Sequence, residues 1–269
     1  MKRLVRFLAF LLIIPLVCLL VFSEIIRCFF IESSTDFQPI APAVFVSRDT
    51  PVRQRLFLLD EIKQARKRVN NLWMSPQQGR ATVIFCRTLR EYEQYCRSGE
   101  GAGCSLGTPW GDSWIIINPY GRNPDVLAHE MCHNELYKRL GWLTTQRQIP
   151  QWFNEGLALM LDGRFLSSRP DNQPDSLQRF QDYNNQWRRA VRGQQPLALK
   201  NLESTQDFFD GGERRVMLAY MTAGREVSRW LILVGRSGLL ALTQAVADGE
   251  DFSAAYQRLE RQARSQKKT

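Results

Sequence analysis

The chain of 269 residues is 44% apolar and 23% charged, which suits one ordinary globular domain with a buried core and excludes a wholly disordered chain. Its net charge of +9 and pI near 9.5 raise the question of nucleic acid, but the basic residues are scattered. No arginine-rich run exceeds Arg66-Lys67-Arg68 and no aromatic RNA-binding signature is present, so no nucleic-acid partner is expected; attraction to anionic lipid headgroups suits the charge better.

Lys2, Arg3 and Arg6 precede an uncharged apolar stretch of 17 residues, Phe7 to Ser23, which ends at Glu24. That length is at the lower edge of what spans a bilayer as a helix. The positive charges before it would hold the N-terminus in the cytoplasm and place everything after it outside. A cleaved signal peptide, with Val21-Phe22-Ser23 at the cleavage site, is the competing reading. Ile25-Ile26 and Phe29-Phe30-Ile31 continue the apolar character and favour an uncleaved single-pass anchor over residues 1–31. Either way the domain is exported, to the periplasmic or extracellular face of the cytoplasmic membrane. Residues 32–51, with Pro39, Pro42 and Pro51, read as a spacer, residues 52–264 as the folded domain and 265–269 as a basic tail.

Export permits disulfides. Cys96 and Cys104 flank the flexible stretch RSGEGAG, an easy loop to close, and Cys86 with either of them is equally open. No cysteine has C-x-x-C spacing, so a thiol-redox or cysteine-only zinc site is not expected.

Val52 to Leu72 has helical periodicity, with Leu56, Leu59, Ile62, Ala65 and Val69 on one face. Ala81 to Cys86 reads as a strand, and Thr88 caps a helix through Cys96. Gly99 to Gly111 reads as a glycine-rich loop, and Ser113 to Asn118 as a second strand stopped by Pro119. A helix capped by Asn123, with Pro124 in its first turn, runs to Leu140 and stops at Gly141. Pro150 opens another, QWFNEGLALMLDG. Ser167 to Gln195 is polar and reads as a surface excursion. Helical patterns then cover 214–235, 238–247 and 252–264. The fold class is α+β, a small mixed sheet followed by a mainly helical half.

The helix after Asn123 contains His129-Glu130-Met131-Cys132-His133. Residues four apart share a helix face, so the two imidazoles can aim at one point about 2 Å from each. Glu130, one step round, can serve a water molecule without ligating the metal. These are the only two histidines in the chain, and chance would give this pattern on the order of once in two thousand. Catalytic zinc usually takes three protein ligands. The third cannot be histidine, and the metzincin extension fails at Leu136 and Arg139. Glu155, 22 residues after His133, meets the need: the chain has room to turn and bring a second helix alongside, where Gly156 would let the helices approach closely. An unpaired carboxylate among Trp152, Phe153, Leu157 and Met160 would be costly without a cation. Cys132 sits off the histidine face and reads as a packing residue.

The pair AHEMCH and IPQWFNEGLALML resembles the gluzincin metallopeptidases, and its P-x-W-x-x-E-G-x-A form is similar to the peptidase MA-like domains of exported bacterial proteins. The resemblance covers about residues 81–256, with the motifs concentrated at 128–162. It implies a zincin-like fold, His129, His133 and Glu155 as ligands of Zn2+, and Glu130 as general base. It further suggests Asn154 and Asp162 as outer-shell groups and Tyr220 as a donor to the oxyanion. SWIIIN is then the expected sheet edge for an extended peptide substrate, with the loop from Gly99 beside it as a lid. The expected activity is that of a membrane-anchored zinc metallopeptidase acting on a peptide or protein. A zinc hydrolase of a non-peptide envelope amide and a non-catalytic envelope-binding domain with structural zinc are the alternatives.

Overall fold

The computed structural model describes residues 22–96, 101–166 and 176–267. The apolar segment before Phe22, read above as an anchor or signal sequence, lies outside the described residues. In chain order the elements are α1 (Ser23–Phe29), β1 (Phe37–Ala41), β2 (Val44–Ser47), α2 (Val52–Trp73), β3 (Thr82–Phe85), α3 (Leu89–Tyr95), β4 (Gly103–Gly107) and β5 (Ser113–Ile117). The helical half follows: α4 (Pro124–Leu140), α5 (Trp142–Gln148), α6 (Gln151–Ala158), α7 (Ser176–Ala190), α8 (Thr205–Phe209), α9 (Glu213–Ala247) and α10 (Phe252–Gln266). The architecture is α+β.

The five strands form one mixed sheet in the order β1-β2-β3-β5-β4. β2, β3 and β5 run parallel, while β1 and β4 are antiparallel to their neighbours. Alternation along the strands sends side chains into two cores. Val83, Phe85, Ile115 and Ile117 join α2, α4 and the helical half. Ile84, Cys86, Trp114 and Ile116 face the other way, under α1 and α3. The sheet thus separates a thin layer, α1 with α3, from the bulk of the molecule.

Several expectations are corrected here. The residues read as a spacer include β1 and β2, which are built into the sheet. The apolar residues beyond Glu24 are not all anchor: α1 packs on the sheet, with Cys28 and Ile31 buried in the second core. β4 forms inside the expected glycine loop and takes the edge of the sheet, so SWIIIN is an inner strand paired on both sides. The buried face of α2 runs through Leu58, Ile62, Ala65, Val69 and Leu72, leaving Leu56 exposed. Within the expected polar excursion, α7 buries Arg179, Asp182 and Tyr183 against the core. Residues 167–175 of that stretch lie outside the described residues.

The local signals at helix ends hold. Thr88 makes a full capping box with Glu91, and the Asn123 side chain accepts from the backbone N–H groups of Asp125 and Val126. α4 then runs through the core, with every residue from Val126 to Leu136 buried. Cys96 is disulfide-bonded to Cys104, tying the end of α3 to β4, and Cys86 and Cys132 are buried free thiols. Among the described residues, α9 is the one helix long and apolar enough to cross a membrane. It breaks at Gly235 and buries Leu218, Val227, Trp230 and Leu239, so its apolarity is that of a core helix.

Candidate metal centre

α4 and α6 lie side by side and bring His129, His133 and Glu155 together, with ligand-capable atoms of all three within 4.8 Å of one another. His129 Nε2 stands 3.3 Å from Glu155 Oε2, and His133 Nε2 stands 3.7 Å from Glu155 Oε1. Two atoms each about 2 Å from a common tetrahedral ion are about 3.3 Å apart. All three residues are buried.

Neighbours turn each ring the same way. His133 Nδ1 is 2.8 Å from Asn154 Oδ1; since a carbonyl oxygen only accepts, Nδ1 is the donor, and Nε2 is the ring atom left facing Glu155. Asp162 Oδ2 stands 3.5 Å from His129 Nδ1, longer than a full hydrogen bond but close enough for its charge to orient the ring. Asp162 is in turn pinned by Arg164, whose Nε and Nη2 donate to it at 3.0 and 2.6 Å. The buried Arg179 donates to the carbonyls of Leu159 and Asp162 at 3.0 and 2.9 Å. Gln151 Nε2 donates to Glu155 Oε1 at 2.8 Å, and Thr205 Oγ1 donates to Gln151 Oε1 at 3.2 Å.

The electrostatics call for a cation. Burial by itself would lower the His129 imidazole, but the Asp162 and Glu155 carboxylates, with Glu130 beyond them, push it up to about 10. Against the same burial, His133 and His129 hold Glu155 below the usual carboxylate range, and His129 and Arg164 do so for Asp162. Glu155 Oε2 is buried without a full hydrogen bond, its neighbour being His129 Nε2 at 3.3 Å; a carboxylate so buried requires a positive partner, which a protonated His129 or a bound cation in its place supplies. Two imidazole nitrogens and one carboxylate oxygen are a donor set that a divalent cation accepts. The residues present fit a metal ion.

Glu130 lies beside the group. Ser105 Oγ on β4 donates to its Oε2 at 2.8 Å. Gly103 stands over the same side chain, where a Cβ would meet Glu130 Cγ at 3.1 Å, so a glycine leaves the room that Glu130 occupies. His129, Glu130, His133 and Glu155 line a cleft of about 680 Å³, together with Gly103 and Ser105 of β4 and Tyr220 of α9. Burial first, then the charges of Glu155 and Glu130, raise the Tyr220 phenol well above its ordinary value. Its ring packs edge-on against Phe208 at 5.2 Å.

All five residues singled out from the sequence therefore line one cleft, and Asn154 and Asp162 stand behind the histidines. Gly156 differs from expectation: it faces Ala223 and Val227 of α9 rather than α4. Ser105, Gln151, Arg164 and Arg179 went unrecognised in the sequence. Gln151 carried a signal, being four residues before Glu155 on one helix face. Ser105 carried none, because β4 was not foreseen. Compared with known protein families and with curated proteins, the chain matches none.

Proposed function

We propose that the protein is a zinc-dependent metallopeptidase of gluzincin type, anchored in the cytoplasmic membrane by its N-terminal apolar segment and working outside the cytoplasm. One observation carries the reading: a buried His129–His133–Glu155 group shares an open cleft with the carboxylate of Glu130 and the edge strand β4. Among the described residues that group has three members, the number usual for a catalytic zinc, whereas a structural zinc takes four. The Cys96–Cys104 disulfide supports an oxidising compartment.

Zinc, when bound, lowers the pKa of water towards 7 and polarises a carbonyl. Glu130, held by Ser105, accepts the proton of the attacking water and delivers it to the leaving amine nitrogen. Tyr220, kept protonated, donates to the oxygen on which negative charge develops. β4, the edge strand among the described residues, offers its outer side to an extended peptide, which would add as a further strand.

Glu130→Gln should retain the metal while peptide hydrolysis falls by 10² or more, the usual scale for loss of a general base. A variant that binds zinc and cleaves a peptide library at the parent rate would remove Glu130 from this role.

A further inference from the structure

Phe22 is 50% exposed, Phe29 43% and Phe30 66%, a cluster of large apolar side chains at the start of the fold. α1 is two-faced. Ile25 and Cys28 lie on the side that packs into the second core, with Ile31 just beyond. Phe22 at the cap and Phe29 in the last turn stand seven residues apart, on one stripe. Phe29 sets its ring edge-on to Trp114, 4.7 Å between centroids, while staying 43% exposed. Clustered exposed apolar groups mark a surface that meets a partner or a membrane.

The chain itself names what adjoins this surface. The uncharged apolar stretch ends at Ser23, the first residue of α1, so in sequence no spacer separates the two. The expected spacer is instead part of the sheet. Seventeen residues as a helix cover about 25 Å, less than the roughly 30 Å of a hydrocarbon core. A span that short draws the residues after it towards the lipid, and Phe29 and Phe30 lie within two helical turns of its end at Ser23. Glu24, Arg27 and Glu32 share the region, two acids against one base, so anionic headgroups gain no hold on it.

We propose that Phe22, Phe29 and Phe30 form an interfacial face seated in the bilayer leaflet on the domain's side, docking the domain on the membrane rather than tethering it above. The inference rests on the reading of residues 7–23 as membrane-embedded. Because α1 lies on the sheet face opposite α4, docking would leave the metal helices a full sheet layer away from the lipid.

The test uses the full chain in nanodiscs of zwitterionic phosphatidylcholine, with a photoreactive side chain introduced as Phe30→p-benzoylphenylalanine. Phe10→p-benzoylphenylalanine serves as the embedded reference and Leu177→p-benzoylphenylalanine as a reference on an exposed position outside this face, Leu177 being 53% exposed. After irradiation, mass spectrometry should find lipid adducts at positions 10 and 30 in comparable yield and none at 177, with no gain on adding anionic lipid. Adducts at position 10 without any at 30, or protein cross-links at 30 in place of lipid, overturn the docking face while leaving the anchor intact. No adduct at position 10 overturns the embedded segment and the docking face together.

Discussion

Replacing Gly156 by alanine tests how closely α6 must lie against α9. A Cβ at this position would stand 2.6 Å from Val227 Cγ2 and 2.7 Å from the carbonyl oxygen of Ala223. The valine can rotate away; the carbonyl belongs to a helix backbone and cannot. Restoring an ordinary carbon–oxygen separation of about 3.3 Å requires the helices to part by roughly 0.6 Å. Overpacking of that kind costs about 1–3 kcal/mol, and alanine returns at most about 1 kcal/mol in helix propensity. The net loss is up to about 2 kcal/mol, a fall in Tm of up to about 4 °C for a chain of this size. The measurement is calorimetry of the full chain in detergent with excess chelator, so that metal binding adds nothing to either melting point. An alanine variant that melts higher than the parent, as at an exposed helical glycine, would refute the close approach.

Gln151→Leu should weaken zinc binding by about 10–100-fold, because Glu155 Oε1 loses its donor; competition against a chromophoric chelator reads this directly. Ser105→Ala should leave zinc affinity unchanged while kcat falls about tenfold or more, the scale of a hydrogen bond to a charged group; equal loss in both would give Ser105 a merely structural role. Glu260 is held below its ordinary value of 4.5 by Arg229 and Arg264. A depressed carboxylate stabilises the fold above its unfolded pKa and loses that contribution as the pH falls through its folded one. Glu260→Gln should therefore lower Tm at pH 7 and narrow its gap to the parent below pH 4, the ion pairs of this half-buried carboxylate contributing about 1 kcal/mol at most once solvent screening is allowed for.

Much of the candidate metal centre was legible because its determinants are local. Positions 129 and 133 share a face by helical period alone, and Asn123 and Pro124 start that helix from within one turn of sequence. Glu155 followed from counting ligands and from an acid placed in an otherwise apolar helix. Ser105 is 25 residues from the Glu130 it bonds; that contact exists only because an edge strand packs across α4. The same holds for β1 and β2, in a stretch whose prolines suggested a loop: Pro39 lies in the edge strand β1, where a missing N–H is tolerated, and Pro42 lies between the two strands.

The chain's order of residues determined the His129–His133–Glu155 grouping, the helix caps, the inner strands β3 and β5 and the α+β class, since each depends on spacing along the chain. Tertiary structure decided which side of α2 is buried, which strand takes the sheet edge, which helix Gly156 meets and what holds Asp162 and Glu155 in place. It also moved the start of the domain back to α1. Burial is a property of a surface and its partner together, so an apolar run such as Ile25 to Ile31 is divided between core and exterior only by the sheet that meets it.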